Sequence, residues 1–142
     1  RLGIYTLTES GRGLLPVLEA LCRWALTVPG HDPRRFISPS ALMISMGVCL
    51  DRRLAGRRQA QAGFDFGGEA FEMRLAGGKL HTRAVDRPDS PFVVRGRANA
   101  VAAAVYGVTP LPALVTAGKV DAEGDIPAAE DFLSLFSLAP QR

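Results

Sequence analysis

The chain contains no apolar run approaching the ~18 residues that a membrane span needs, so no membrane insertion is expected. Cysteine and histidine are scarce, with two of each in 142 residues. Cys22 and Cys49 do not form a CxxC pair, and His31 and His81 stand apart, which leaves no ligand set for zinc. Both cysteines lie in apolar, helix-like surroundings and read as buried free thiols. Lysine is almost missing: of 17 basic residues only Lys79 and Lys119 are lysine. There is no signal-peptide pattern, internal repeat or low-complexity stretch. There is no GxxxxGK[ST] loop, no strand–GxGxxG–helix unit and no GxSxG elbow. Asp65, Glu69, Glu72 and Asp86 are scattered rather than paired. No catalytic residue, metal or cofactor is therefore called for, and an enzyme is not expected.

What is present suits a globular protein. Hydrophobic residues make up 47% and charged residues 22%, enough at this length to build a core without staples. The net charge of +3 permits a nucleic-acid partner without arguing for one.

Residues 4–7 carry Tyr and Thr in loose alternation and predict a short strand. Thr8 followed by Glu9 is a helix start. Leu14, Leu18, Leu21 and Ala25 then share one face, with Cys22 beside it, predicting a helix to about Val28. Pro16 predicts a kink, because it cannot donate to the Arg12 carbonyl. Residues 29–39 read as a linker. Ser38-Pro39 opens a second helix, whose apolar stripe is Leu42, Met46, Cys49, Leu50 and Leu54. Its end carries Arg52, Arg53, Arg57 and Arg58, which suit a solvated C-terminus or an anion contact. From Phe64 the period becomes two. Phe71, Met73 and Leu75 face one way, Glu72 and Arg74 the other, and Gly77-Gly78 turns into a return strand with Leu80, Thr82 and Ala84. His81 falls on the polar side of that strand. Phe92-Val93-Val94-Arg95 reads as a buried strand. A helix to Tyr106, stopped by Gly107, a short helix from Leu111, a strand from Lys119 and a last helix from Asp125 follow. Strands and helices are segregated, which predicts an α+β fold with a small antiparallel or mixed sheet covered by helices.

Two stretches resemble known families. Tyr5-Thr6-Leu7-Thr8-Glu9-Ser10-Gly11, with Leu15-Pro16-Val17-Leu18, Leu21 and Trp24, resembles the wing end and final helix of HxlR-type winged-helix regulators, relatives of the MarR group. Phe92-Val93-Val94-Arg95-Gly96, the Gly118-Lys119…Gly124-Asp125 spacing and Phe132-Leu133-Ser134-Leu135-Phe136 are similar to the sterol carrier protein type two family. That family binds lipids in an apolar tunnel between a sheet and its helices.

Together these resemblances imply residues 1–28 as the end of a winged-helix domain, 29–39 as linker and 40–142 as a sterol-carrier-like domain. They imply the C-terminal part of a cytoplasmic, dimeric bacterial transcription regulator with a small apolar or acyl effector. The chain begins with Arg rather than Met, and the recognition helix and first wing strand would lie ahead of it. Arg1 is then the one DNA-contacting candidate. Leu14, Leu18, Leu21, Cys22, Trp24 and Ala25 are the dimerisation candidates. The apolar pocket candidates are Phe64, Phe66, Phe71, Met73, Phe92, Val94, Tyr106, Leu114, Phe132 and Phe136, with Tyr106 as polar handle. The same large apolar residues also serve as ordinary core. Arg74, Arg83 or Arg95 could hold a ligand carboxylate. The alternative reading is a lipid carrier or dimerisation module with no regulatory role.

Overall fold

The computed structural model describes residues 7–30, 32 and 35–138. The strand expected over residues 4–7 therefore lies outside the described residues except for Leu7, and so do Arg1 and His31. The front helix is two helices rather than one kinked at Pro16. Helix α1 spans Glu9–Arg12, with Thr8 capping it by accepting from the Gly11 amide at 3.0 Å. Helix α2 spans Leu15–Thr27. The break falls at Gly13-Leu14, and Pro16 sits in the first turn of α2. There its missing N–H costs nothing and its fixed φ favours the helix.

Helix α3 spans Pro39–Cys49, and Ser38 caps it through the Ala41 amide. It is shorter than its apolar stripe suggests. Leu50 leaves the helix to form an isolated bridge with Phe136. Asp51 donates its amide to Leu135 O at 2.8 Å. Its carboxylate accepts from the Arg53 and Leu54 amides, starting the short helix α4, Arg52–Ala55. Leu54 is thereby turned out to solvent instead of completing the stripe.

Strands β1 (Ala60–Asp65), β2 (Ala70–Ala76), β3 (Lys79–Val85), β4 (Phe92–Gly96) and β5 (Val120–Gly124) form one sheet in the order β3-β2-β1-β4-β5. β1 runs parallel to β4, and every other pairing is antiparallel. The β2–β3 hairpin turns on Gly77 and Gly78, both at positive φ (58° and 70°), as a two-residue turn demands. Strand β1 is one more than the sequence pattern predicts. Helices α5 (Ala98–Val105), α6 (Leu111–Thr116) and α7 (Ile126–Leu133) complete the chain.

The register sorts the sheet into two faces. Ala62, Phe64, Phe71, Met73, Leu75, Phe92, Val94 and Val120 share one face and are buried. They pack with Leu42, Met46, Val101, Val105, Leu114, Ala129, Phe132 and Leu133 from the helices in a single cluster. Burying each of the larger side chains among them contributes roughly 1.5–3 kcal/mol.

The segment from β3 to β4 crosses the other face. Pro88 lies over Gly63, where a Cβ would come within 2.7 Å of the proline's own. Gln61 Nε2 donates to Asp89 O at 3.2 Å, and the Asp89 amide donates to Glu72 Oε1 at 2.7 Å. This crossing buries Glu72 to 7% exposure and Val93 to 6%. Period two predicts a solvent-facing Glu72; the overlying loop removes the solvent.

The Gly118…Asp125 spacing has a structural explanation at each position. α6 ends with the Gly118 amide donating to Val115 O and the Lys119 amide to Leu114 O, with Gly118 at φ 66°, the paired closure that favours glycine past a helix end. Gly124, at φ 91°, abuts Pro91, where a Cβ would lie 2.2 Å from the carbonyl oxygen. Asp125 caps α7 by accepting from the Ala128 amide at 3.0 Å. These residues build the turn chemistry of the fold.

Candidate functional site

All ten pocket candidates fall in or against the one apolar cluster. Phe64, Phe71, Met73, Phe92, Val94, Leu114, Phe132 and Phe136 are buried in it, and Phe66 and Tyr106 pack against it half-buried. The rings form two groups. Phe66 stacks on Phe64 at 6.5 Å and meets Phe71 edge-on at 6.1 Å; Phe132 joins Phe92 at 5.8 Å and Phe136 at 5.3 Å. These separations are those of favourable aromatic pairs. Here the side chains fill one another's space.

The cluster has one polar inlay. Tyr106, at the end of α5, donates its phenol to Ser45 Oγ of α3 at 2.5 Å, and Ser45 Oγ lies 3.9 Å from Cys49 Sγ. Burial pushes the Tyr106 phenol well above its ordinary pKa, against the lowering effect of the Ser45 hydrogen bond. Burial likewise raises the Cys49 thiol, and Cys22 on α2 is close enough to raise it further. Both cysteines are free. Ser45 was not among the sequence candidates. Its only signal is that it is a polar residue between Ile44 and buried Met46 in an apolar stretch of α3.

The helix layer thins over β3. Thr82 and Ala84 are on the core-facing side, opposite Met73 and Phe71, yet they are exposed. The return strand thus continues the apolar face in register only; its second half is uncovered.

The arginines proposed for a carboxylate lie elsewhere. Strand alternation puts Arg74, Arg83 and Arg95 on the opposite sheet face from the cluster. Arg83 donates to Glu72 Oε2 at 2.5 Å, and Arg95 to Glu123 Oε2 at 2.5 Å with Asp65 at 3.6 Å. Arg83 and the Asp89 amide together hold the Glu72 carboxyl below its ordinary pKa. His81 is exposed on that same polar side, as its alternation predicts. A polar cavity of about 400 Å³ opens there, lined by Arg87, Asp89, Ser90, Arg95 and Glu123 around Val93 and Gly124. The buried Ser90 hydroxyl has no partner among the described residues. Also among the described residues, no group of three or more His, Cys, Asp or Glu is placed to hold a metal, and no helix is long and apolar enough to cross a membrane.

Of the dimerisation candidates, Leu14, Leu18, Leu21 and Trp24 are exposed, together with Val17 and Val28. They recur at three- and four-residue steps along one side of α2. Cys22 and Ala25 are half-buried towards α3, on which α2 packs.

No family model and no curated protein matches the sequence. Solved structures do resemble the fold. The stereoselective inverting sec-alkylsulfatase Pisa1 from Pseudomonas sp. superposes with a TM-score of 0.65 at 20% identity, over 80% of this chain and 20% of that one. Its double mutant S233Y F250G gives 0.63 at 18% identity, over 76% and 18%. The UbiJ-SCP2 ubiquinone synthesis protein gives 0.50 at 14% identity, over 87% of this chain and 93% of that one. The chain thus spans about a fifth of the sulfatase and nearly the whole of the second protein. The fold is sterol-carrier-like: a five-stranded mixed sheet covered by helices. The likeness concerns that fold and lends nothing to the winged-helix resemblance of the front segment.

Proposed function

We propose that the chain binds a small apolar or acyl molecule between its sheet and its helices. The observation that carries this reading is the continuous apolar cluster with Tyr106, Ser45 and Cys49 as its polar inlay. Apolar lining with a few convergent polar groups is the usual chemistry of a small-molecule site. The name of the UbiJ-SCP2 neighbour, which includes a sterol-carrier label, agrees with this reading, as does the alkyl substrate named in the sulfatase neighbour. A ligand would enter where the helix layer thins, over Thr82 and Ala84, and displace ring contacts by shifting α3 and α5 away from the sheet. The Tyr106 oxygen would accept a hydrogen bond from a hydroxyl on that ligand. The domain then acts as a carrier or sensor of such molecules rather than as a catalyst. The test is to add fatty acids, fatty alcohols and sterols to the purified protein and follow its melting temperature. A binder at a hundred times its Kd should add about 2.7 kcal/mol; no response from any class would contradict the reading.

A second reading makes this domain the effector part of a dimeric regulator. The uncovered apolar stripe of α2 favours it, since contiguous exposed apolar surface of that kind marks an interaction site and a two-fold pairing of such helices would cover it. In that reading residues 1–28 belong to a winged-helix domain and Arg1 touches DNA. That assignment rests on the sequence resemblance of the front segment. Sedimentation of the chain and of Leu18→Glu/Leu21→Glu tests it: the parent should sediment as a dimer and the variant as a monomer.

A further inference from the structure

We infer that the two edges of the sheet fit one another, so that β3 of one copy of this chain docks on β5 of a second copy and the sheets join head to tail. β3 and β5 are the outer strands, and among the described residues no further strand pairs with either. Two antiparallel pairings separate β3 from β1, so the two run the same way. β4 also runs with β1, and β5 runs against β4. Two copies set edge to edge with the same face up therefore bring β3 antiparallel to the neighbour's β5.

The hydrogen-bonding phase agrees. The two-residue turn at Gly77-Gly78 makes Ala76 and Lys79 a bonded pair, and Arg74–His81 and Glu72–Arg83 follow by alternation. Leu80, Thr82 and Ala84 then turn their backbone groups outward. On β5, the Asp125 amide donates to Pro91 O at 3.0 Å. By the same alternation Glu123 and Asp121 bond inward, and Ala122 and Val120 turn outward. Pairing Thr82 with the neighbour's Ala122, and Ala84 with its Val120, matches both rows. It also sets Arg83 opposite Asp121 and His81 opposite Glu123.

Charge favours this pairing over its rivals. Strands β2 and β3 carry Arg74, Lys79 and Arg83 with one carboxylate, Glu72. Strands β4 and β5 carry Asp121 and Glu123 with one base, Arg95, which Asp65 also approaches. Arg83 and Asp121 keep 73% and 72% of their side-chain surface exposed. Two β3 strands paired about Thr82 would set His81 against Arg83, and two β5 strands paired about Ala122 would set Asp121 against Glu123. Like charges directly opposite one another destabilise a sheet. The contact is head to tail and leaves a free edge at each end, so further copies can add in a row. The inference goes beyond ligand binding and holds whether or not the apolar cluster takes a ligand.

The experiment is sedimentation equilibrium over a range of concentrations, run on Leu18→Glu/Leu21→Glu so that pairing through α2 plays no part. The average mass should climb past that of a dimer without a plateau there, and should fall as salt is raised. Thr82→Pro takes the outward amide from β3, and Asp121→Lys opposes the neighbour's Arg83; added singly to that chain, each should weaken association roughly 100-fold. Each variant keeps one sound edge, so an equimolar mixture should form dimers and nothing larger. All three changed positions, Thr82, Asp121 and His81, are exposed, so circular dichroism should match the parent; if the proline disturbs β3, His81→Glu, set against Glu123, takes its place with the same expectation. A monomer at every concentration, a plateau at the dimer, a variant that associates undiminished, or a mixture that stays monomeric would overturn the inference.

Discussion

Tyr106 Oη donates to Ser45 Oγ at 2.5 Å and thereby ties α5 to α3 inside an otherwise apolar layer. The residue is half-buried against the helix layer, and the hydroxyl of α3 satisfies the phenol there. Tyr106→Phe should lower stability by about 1 kcal/mol in denaturant titration. If the ligand uses the same oxygen, the variant should lose affinity for fatty alcohols while keeping it for acyl esters that lack a donor. Equal loss for both would place recognition elsewhere.

Gly63 and Gly47 make an opposed pair. At Gly63 a Cβ would meet Pro88 at 2.7 Å and Val93 at 2.9 Å; at Gly47, inside α3, it would meet nothing within 4 Å. Gly63→Ala should destabilise by about 1–3 kcal/mol through overpacking. Gly47→Ala should stabilise by about 0.5–1 kcal/mol, the helix-interior gain of alanine over glycine. Urea unfolding of both variants reads the two signs directly.

Glu72 sets a pH dependence. Its folded pKa lies below the ordinary carboxylate value, first through the Arg83 hydrogen bond and then through the Asp89 amide. The stabilisation is therefore complete above the unfolded value of about 4.3 and is lost as pH falls through the depressed folded value. Glu72→Gln should cost roughly 1–3 kcal/mol at pH 7 and flatten that acid limb. A variant whose acid limb matched the parent's would show that other carboxylates dominate.

Phe132 joins both Phe92 and Phe136 and is 1% exposed. Phe132→Ala should cost about 3–5 kcal/mol in the empty protein. It should also widen the apolar space, so that bulkier ligands restore more of the lost melting temperature than they add to the parent.

The sequence patterns that come from large side chains survive in the structure. The Phe71/Met73/Leu75 face, the doubly buried Phe92-Val93-Val94 run, the caps at Thr8 and Ser38, the helix start at Asp125 and the Gly77-Gly78 turn are all where periodicity and turn chemistry place them. What was illegible has physical causes. Strand β1 sets its one large apolar residue, Phe64, among Ala60, Ala62 and Gly63, too small to signal an alternation, and Gly63 is small because Pro88 crosses it. The end of α3 is set by Asp51 and by the Leu50–Phe136 bridge, a contact 86 positions long that no local window contains. Glu72 is buried by a loop rather than by its own strand. Among site residues, alternation sets Arg74 apart from the apolar face in the sequence itself, whereas Arg83 and Arg95 are placed opposite the cluster by the sheet register, and Ser45 becomes visible only once α5 is packed on α3.

The central claim is that an apolar molecule lodges between sheet and helices. The most direct measurement is native mass spectrometry of the purified protein, followed by denaturing extraction and mass analysis of what is released. The account predicts one discrete apolar adduct per chain, retained by the parent and reduced when Ala84→Trp narrows the access over β3. A chain that flies without an adduct and takes up none of the offered fatty acids, alcohols or sterols would contradict it, leaving the aromatic cluster as a closed core.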